Sequence, residues 1–308
     1  MSCDLATEQT GSVSRPIVRR RRGLSTAIMH RVVEEFPVAL VFNGISHAVM
    51  MATPLDLEAF AVGFALTEGI VERAADIYDL EVVVHTDSAE VQLTIAQPAL
   101  QQLKGKRRAL AGRTGCGVCG IESIELLDLQ PQKIAHRNGA ADVSPSAIES
   151  AARELPDRQI LMRETGGIHA AAWCKPDGSI VEVFEDVGRH NALDKLIGGL
   201  ALRQEDMQDG FVFLSSRASY ELVRKTARMN IALLAAISAP TSLAIDIAQR
   251  ARMRLLSFCR QDGFVEYTAN DPPGPVSQPV STATVRKNAA QASGPNPAPC
   301  DMGSDQRA

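Results

Sequence analysis

Residues 170–214 read AAAWCKPDGSIVEVFEDVGRHNALDKLIGGLALRQEDMQDGFVFL. Ala170–Trp173 and Ile180–Phe184 are apolar runs on either side of the turn residues Asp177-Gly178, which is the pattern of two paired strands. A helical pattern from about His190 to Leu202 follows, and Asp209-Gly210 leads into a further apolar run, Phe211–Leu214. Toward the C-terminus the alternation continues. Helices fit about 218–235 and 241–251, and strands fit about 254–258 and 264–268. Strands alternating with helices predict a layered α/β domain.

Toward the N-terminus the pattern opens with β-structure. Val38–Phe42 and Ile45–Met51 are joined by Asn43-Gly44, the pair a two-residue hairpin turn prefers because both residues take positive φ. Thr53-Pro54-Leu55-Asp56 reads as a helix start, with Thr53 as N-cap, Pro54 in the first helical position and Asp56 reaching back. Leu57, Phe60, Ala61, Phe64 and Ala65 recur at spacings of three and four, and Gly69 closes the helix. Glu81–Val84 and Val91–Ile95 fit a second hairpin, and Ser144-Pro145 opens another helix. The expected organisation is a smaller α+β domain over 26–120 ending in a cysteine loop, then the α/β domain over 121–270, with the boundary between about 110 and 140. Residues 1–25 read as a disordered basic leader. Residues 271–308, rich in Pro, Ala, Ser, Gln and Asn, read as a disordered tail that cannot bury enough apolar surface to order itself.

Composition narrows the function classes. Hydrophobic residues make up 45% and charged residues 22%, with a net charge of −4. That balance argues against a nucleic-acid binder, which needs a basic excess to neutralise phosphates. No apolar run approaches the ~18 residues of a membrane span. The basic stretch Arg19–Arg22 is followed by polar residues rather than a signal core, so the cytoplasm is the expected compartment.

Of six cysteines, only Cys116 and Cys119 are close in sequence. Cys3 and Cys300 fall in the two tails, and Cys174 beside the lone Trp173 reads as a small buried hydrophobe. Gly112-Arg113-Thr114-Gly115-Cys116-Gly117-Val118-Cys119-Gly120 holds four glycines in nine residues, the composition of an accessible loop. Lys104, Lys106, Arg107, Arg108 and Arg113 lie near it, and cations favour thiolate over thiol. Three readings fit such a pair. It can carry sulfur, form a dithiol redox couple, or supply half of a zinc site. Zinc needs further ligands, and His136, His169 or Cys174 would complete it only through spatial coincidence. A thioredoxin-like couple sits where a strand enters a helix, a context the glycines do not suggest.

Several longer blocks carry a resemblance. They are the cysteine loop, Pro37–His47 (PVALVFNGISH), His169–Trp173 (HAAAW), Glu185–Lys195 (EDVGRHNALDK) and Ser215–Glu221 (SSRASYE). Together these resemble the FdhD family of formate dehydrogenase accessory sulfurtransferases over roughly residues 30–270. The resemblance implies that a cysteine desulfurase donates persulfide sulfur to Cys116, with Cys119 as a relay or resolving thiol. It implies transfer of that sulfur to a molybdenum cofactor, Mo-bis(molybdopterin guanine dinucleotide), needed by formate dehydrogenase. It also implies a cytidine-deaminase-like fold for the C-terminal domain, a homodimer, and a cofactor-binding stretch at Phe258, Cys259, Arg260, Gln261, Asp262 and Gly263. The deaminase zinc signature is absent, so deaminase chemistry is not implied.

In that stretch Arg260 suits a phosphate or guanine edge, Asp262 a guanine or ribose donor, and Gly263 a close approach. An ordinary turn between strands is the alternative. Arg189 and His190 follow Gly188 at an expected helix start, where backbone amides favour anions. Ser215, Ser216 and Arg217 follow an apolar strand, where α/β proteins commonly bind ligands. Helix capping and a surface ion pair explain these residues equally well. His47 reads as a strand residue with a satisfied hydrogen bond, and Thr165-Gly166-Gly167 as a loop without an assigned role. The competing function is a non-catalytic cofactor-binding assembly protein whose cysteines hold zinc.

Overall fold

The computed structural model describes residues 10–107, 129–135 and 143–268. Cys116, Cys119 and the tail from 271 onward lie outside the described residues. Within them the chain is a mixed α/β protein with three sheets, of two, six and four strands.

Over residues 12–25 the first sheet departs from the expectation of a disordered leader; residues 1–9 lie outside the described residues. β1 (Ser12–Arg21) and β2 (Leu24–Val33) pair antiparallel along their whole length. Their connection, Arg22-Gly23, has φ of 48° and 81°, the two positive values of a tight hairpin turn. The Arg22-Gly23 turn, rather than the arginine content, is the local signal for this hairpin.

β3 (Phe36–Phe42) and β4 (Ile45–Ala52) form the expected hairpin, with Asn43 at φ 47° and Gly44 at φ 75°. β5 (Ile77–Val84) and β6 (Ala89–Ile95) complete the sheet in the order β4-β3-β6-β5. The Asn43 side chain stitches the two hairpins together, accepting from Ile95 N at 2.8 Å and donating to Ile95 O at 3.2 Å.

α1 (Leu57–Thr67) begins later than the Thr53-Pro54 pattern suggests. Asp56 is its N-cap residue at φ 53° and does not cap through its side chain. Thr53 is fully buried and bonds instead to the end of a distant strand: its N–H donates to Asp186 Oδ2 at 2.9 Å and its hydroxyl accepts from Val187 N at 3.2 Å. A tertiary partner has therefore outbid the local cap. α1 is apolar all round and buried except at Glu58, as expected of a helix enclosed on every side.

α2 (Gln97–Arg107) precedes the cysteine loop, and α3 (Pro145–Arg158) starts at the predicted place, capped by Ser144 accepting from Ala147 N. A short α4 (Ile160–Thr165) leads to β7 (His169–Cys174), which pairs with β8 (Ile180–Asp186). α5 (Arg189–Leu202), β9 (Phe211–Leu214), α6 (Tyr220–Arg228), β10 (Leu233–Ala236), α7 (Ser242–Ala251), β11 (Arg254–Arg260) and β12 (Gly263–Glu266) follow. The helix expected over 218–235 thus ends at Arg228, and its last third is a central strand. Leu233–Ala236 is fully buried between two parallel neighbours, where a short apolar run supports either period.

The six-stranded sheet has the order β12-β11-β10-β9-β7-β8. α1 packs against α5 through glycine at both contact points. A Cβ on Gly63 would lie 1.7 Å from Asp194 O, and one on Gly198 1.8 Å from Ala59 O. This contact joins the helix of the four-stranded half to the six-stranded half, and Met1–Asn270 forms one compact unit. No helix among the described residues is long and apolar enough to cross a membrane.

Candidate functional site

Sheet direction gathers most of the singled-out residues. β9, β10 and β11 are mutually parallel, and β7 runs antiparallel to both β8 and β9. The C-terminal ends of β8, β9, β10 and β11 therefore share one edge with the N-terminal ends of β7 and β12. That edge carries His169, the Asp186–His190 turn, Ser215–Ser219, Ile237–Thr241 and the β11–β12 hairpin. It is the place where open α/β sheets bind ligands.

Arg189, His190 and Asp186 surround His169. His169 is half-buried, and burial first, then the neighbouring Arg189 and His190, depress its pKa below the ordinary 6.5, with Asp186 opposing. His190 Nε2 lies 2.6 Å from Glu221 Oε2, off the directional geometry of a hydrogen bond, and both side chains are almost covered. This contact joins the EDVGRHNALDK block to the SSRASYE block, an association that spacing does not reveal. Arg189 Nε is buried without a hydrogen-bond partner, as are Ser219 Oγ and Ser257 Oγ. Ser219 is the N-cap residue of α6, yet its side chain makes no cap bond. These orphaned donors and acceptors cost free energy unless something polar meets them.

The expectation of an anion at the Gly188 helix start meets a different occupant. Asp186 Oδ1 accepts from Gly188 N at 2.8 Å and from Asn191 Nδ2 at 2.9 Å, so a carboxylate of the chain itself already fills the positive end of α5. Asp186 Oδ2 is paired with Lys195 Nζ at 2.8 Å, both fully buried, and Lys195 also donates to Thr53 O at 3.0 Å. Asn191 donates to Met51 O at 2.8 Å. Much of this block is thus a clasp between α5 and the end of β4. Sequence reasoning noted the block but missed the clasp, whose signal was Asp186 just ahead of a largely apolar helix that carries Asn191 and Lys195.

A second buried cluster ties α1, α5 and α6. Lys225 Nζ meets Asp194 Oδ2 at 2.8 Å, Glu68 Oε1 at 2.9 Å and Thr67 Oγ1 at 2.9 Å. Arg224 adds two 3.0 Å bonds to Glu68. Burial works against the Glu68 charge, but Lys225 and Arg224 outweigh it and hold the carboxyl far below its usual range. Burial likewise opposes the Lys225 charge, and Asp194 and Glu68 overcome it and raise the pKa.

The expected cofactor stretch is the connection between β11 and β12. The ladder shifts register between Ser257 and Arg260, and Phe258 sits at φ 54° in this bulge. The bulge turns Phe258 outward, 43% exposed, and Cys259 inward, where burial pushes its thiol up to about 11. Cys259 is therefore a packing residue and no thiolate. Arg260, Gln261 and Asp262 are exposed, and Gly263 has φ 147°. Phe258, Arg260 and Asp262 are thus all exposed in this hairpin at the sheet edge, and Phe258 N donates to Ser238 O at 3.4 Å.

Cys116 and Cys119 lie outside the described residues, as does His136. Lys104 is exposed near the end of α2, which leads toward that loop. Of the remaining zinc candidates, His169 and Cys174 occupy opposite ends of β7, about 16 Å apart at ~3.3 Å per residue, so one metal cannot take both. Cys174 is fully buried and its thiol pKa is driven up by that burial. Among the described residues no cluster of three or more His, Cys, Asp or Glu is arranged to hold a metal. His47 packs edge-on against Phe42 and Phe64. An open groove of about 420 Å³ between α1, β5 and the far end of α5 is lined by none of the candidate site residues.

Comparison with known proteins bears on the family and the fold. The family model for the FdhD/NarQ family matches residues 33–272. A relative in Burkholderia mallei named sulfur carrier protein FdhD is 62% identical over 271 residues, covering 87% of this chain and 99% of its own. One of the same name in Chromobacterium violaceum is 64% identical over 263 residues, covering 85% and 97%. The fold is shared with a crystal structure from Desulfotalea psychrophila described as a formate dehydrogenase accessory protein. The two superpose with a TM-score of 0.63 at 23% identity, over 84% of this chain and 97% of that one. This chain belongs to the FdhD/NarQ family.

Proposed function

We propose that the chain is a cytoplasmic sulfurtransferase that carries sulfur on Cys116 to a molybdenum cofactor destined for formate dehydrogenase. The observation that carries this reading is the match, over almost their whole length, to relatives named sulfur carrier protein FdhD. A Cys116 thiolate attacks the terminal sulfur of a cysteine desulfurase persulfide. A new S–S bond forms, the donor's S–S bond breaks, and the donor cysteine leaves as thiolate. Attack of Cys119 on Cys116 Sγ then releases the sulfur at the sulfide level and leaves a Cys116–Cys119 disulfide, which a cellular thiol must reduce.

The acceptor, Mo-bis(molybdopterin guanine dinucleotide), fits the donor set of the sheet edge. Phe258 offers a stacking face, Arg217 and Arg260 exposed guanidiniums, Asp262 an acceptor, and Arg189, Ser219 and Ser257 unmatched polar atoms. These residues would orient the acceptor rather than supply acid or base, and orientation is what such a transfer needs most. A homodimer is part of the proposal.

The test is intact-protein mass spectrometry after incubation with cysteine desulfurase and cysteine. Wild type gains about 32 Da, one sulfur atom, on Cys116, and the thiol-sensitive adduct is absent from Cys116→Ala. Formate dehydrogenase matured with Cys116→Ala stays inactive. A wild-type chain that acquires no such adduct, or full maturation by Cys116→Ala, defeats the reading. Stoichiometric zinc protecting Cys116 and Cys119 from alkylation would favour the assembly-protein alternative instead.

A further inference from the structure

The β1–β2 hairpin plays no part in the site described above, yet its surface is unusual. Arg15, Arg19, Arg20, Arg21, Arg22 and Arg31 lie within residues 12–33, a stretch with no Lys, Asp or Glu. The whole chain nevertheless has a net charge of −4, so the rest of it is acidic. Only Arg31 is neutralised among the described residues, by Glu164 of α4 at 3.3 Å; the other five are exposed and have no ion pair there. Between them stand exposed apolar side chains, Leu24 at 75%, Met29 at 63% and Val18 at 60%. β1 and β2 pair with no other strand among the described residues, so both outer edges are open. A lone two-stranded ribbon is marginal in water. Arginine with apolar residues and without lysine is the composition of a protein interface. An extended polyanion or an anionic membrane would meet the acidic remainder of the chain, whereas a folded partner with a confined acidic patch would not.

Its anchorage gives the hairpin a direction. Ser12 donates to Glu164 Oε2 at 2.9 Å, and Arg31 reaches the same carboxylate. α4 runs through Gly166-Gly167 into His169 at the sheet edge, and a Cβ on Gly167 would touch Val33 at 3.9 Å. The base of the ribbon therefore stands beside the edge assigned to the cofactor. We infer that the β1–β2 hairpin docks an acidic face of the protein that receives the cofactor, which on the reading above is cofactor-free formate dehydrogenase.

The experiment titrates cofactor-free formate dehydrogenase with the full chain and with Arg19→Glu/Arg20→Glu/Arg21→Glu at low and high salt. The triple variant binds about tenfold or more weakly and loses the salt dependence that wild type shows. Val18→Ser/Met29→Ser also weakens binding but keeps the salt dependence. Arg153→Glu, an exposed arginine on α3, binds like wild type. Should charge reversal unfold the hairpin, Arg19→Gln/Arg20→Gln/Arg21→Gln at an unchanged melting temperature gives an intermediate loss. Wild-type affinity in the triple variants, equal loss in Arg153→Glu, or a loss confined to RNA or phosphatidylglycerol vesicles overturns the inference. Persulfide loading of Cys116 is measured in the same samples. Loaded variants that still bind refute the docking surface alone, whereas unloaded wild type refutes the sulfur-carrier reading.

Discussion

His169 shows what one side chain at the sheet edge contributes. Burial, then the neighbouring Arg189 and His190, lower its pKa below the ordinary value of 6.5 and so favour its neutral form in the folded chain. Folded His169 therefore binds fewer protons than unfolded His169 just below pH 6.5. Its contribution to stability is complete above that pH and falls as pH drops through the window beneath it. Urea melts from pH 7.5 to 5 should show wild type losing stability toward acid, and His169→Asn should lose measurably less. Parallel curves for the two proteins would mean that His169 is not held neutral. Cys259 teaches the opposite lesson. It stands inside the expected cofactor stretch, but with its thiol pushed up to about 11 it is nearly all protonated at neutral pH.

Among the elements, the contact of α1 with α5 decides the arrangement, and glycine decides the contact. With Cβ positions only 1.7 Å and 1.8 Å from backbone oxygen, neither Gly63 nor Gly198 tolerates alanine without the helices moving apart. Each of Gly63→Ala and Gly198→Ala should destabilise the chain by about 3 kcal/mol or more, at the upper end of overpacking penalties, since backbone cannot rotate away as a side chain does. Gly44→Ala tests the reasoning: its φ is 75° but nothing lies within 4 Å, so its cost is the smaller one of backbone strain, ~1 kcal/mol. Denaturant titration of the three variants separates the two causes. Neither helix glycine was readable from sequence, because a glycine in an apolar helical run gives no hint of what approaches it. The elements legible in the sequence were those with local causes. Asn43-Gly44 makes its turn, Ser144-Pro145 starts its helix, and Asp177-Gly178 separates its strands. Thr53 failed as a cap because Asp186 and Val187 claim it, and 233–236 failed as helix because burial on both faces erases periodicity. The cysteine loop, read as chemistry from its glycines and cations, lies outside the described residues. The gathering of His169, Ser215–Ser219 and Phe258–Gly263 at one edge was not legible, since it follows from strand direction.

For the whole molecule, two sheets are made to answer to each other by a few buried polar groups. Asp186, Lys195, Asn191 and Thr53 connect the end of β4 with β8 and α5, and Glu68, Asp194, Arg224 and Lys225 connect α1 with α5 and α6. Packing of α1 on α5 through Gly63 and Gly198 holds the halves together, and the polar clasps add specific pairings to that contact. Removing one partner leaves a fully buried charge, a loss of roughly 3–5 kcal/mol, while replacing both with apolar groups need not cost as much. Lys195→Met should therefore be far less stable than wild type, and Asp186→Leu/Lys195→Met should recover part of the loss. Cooperativity gives a second readout. The lone Trp173 is buried in the six-stranded sheet, so its fluorescence reports that half, whereas far-ultraviolet dichroism reports all helices and strands. In wild type the two probes should trace one transition. In Lys195→Met the four-stranded half should loosen first, so that dichroism changes before Trp173 does. Coincident transitions in the variant would show that α1 against α5 suffices for cooperativity and that the clasp serves only to set register at the candidate site.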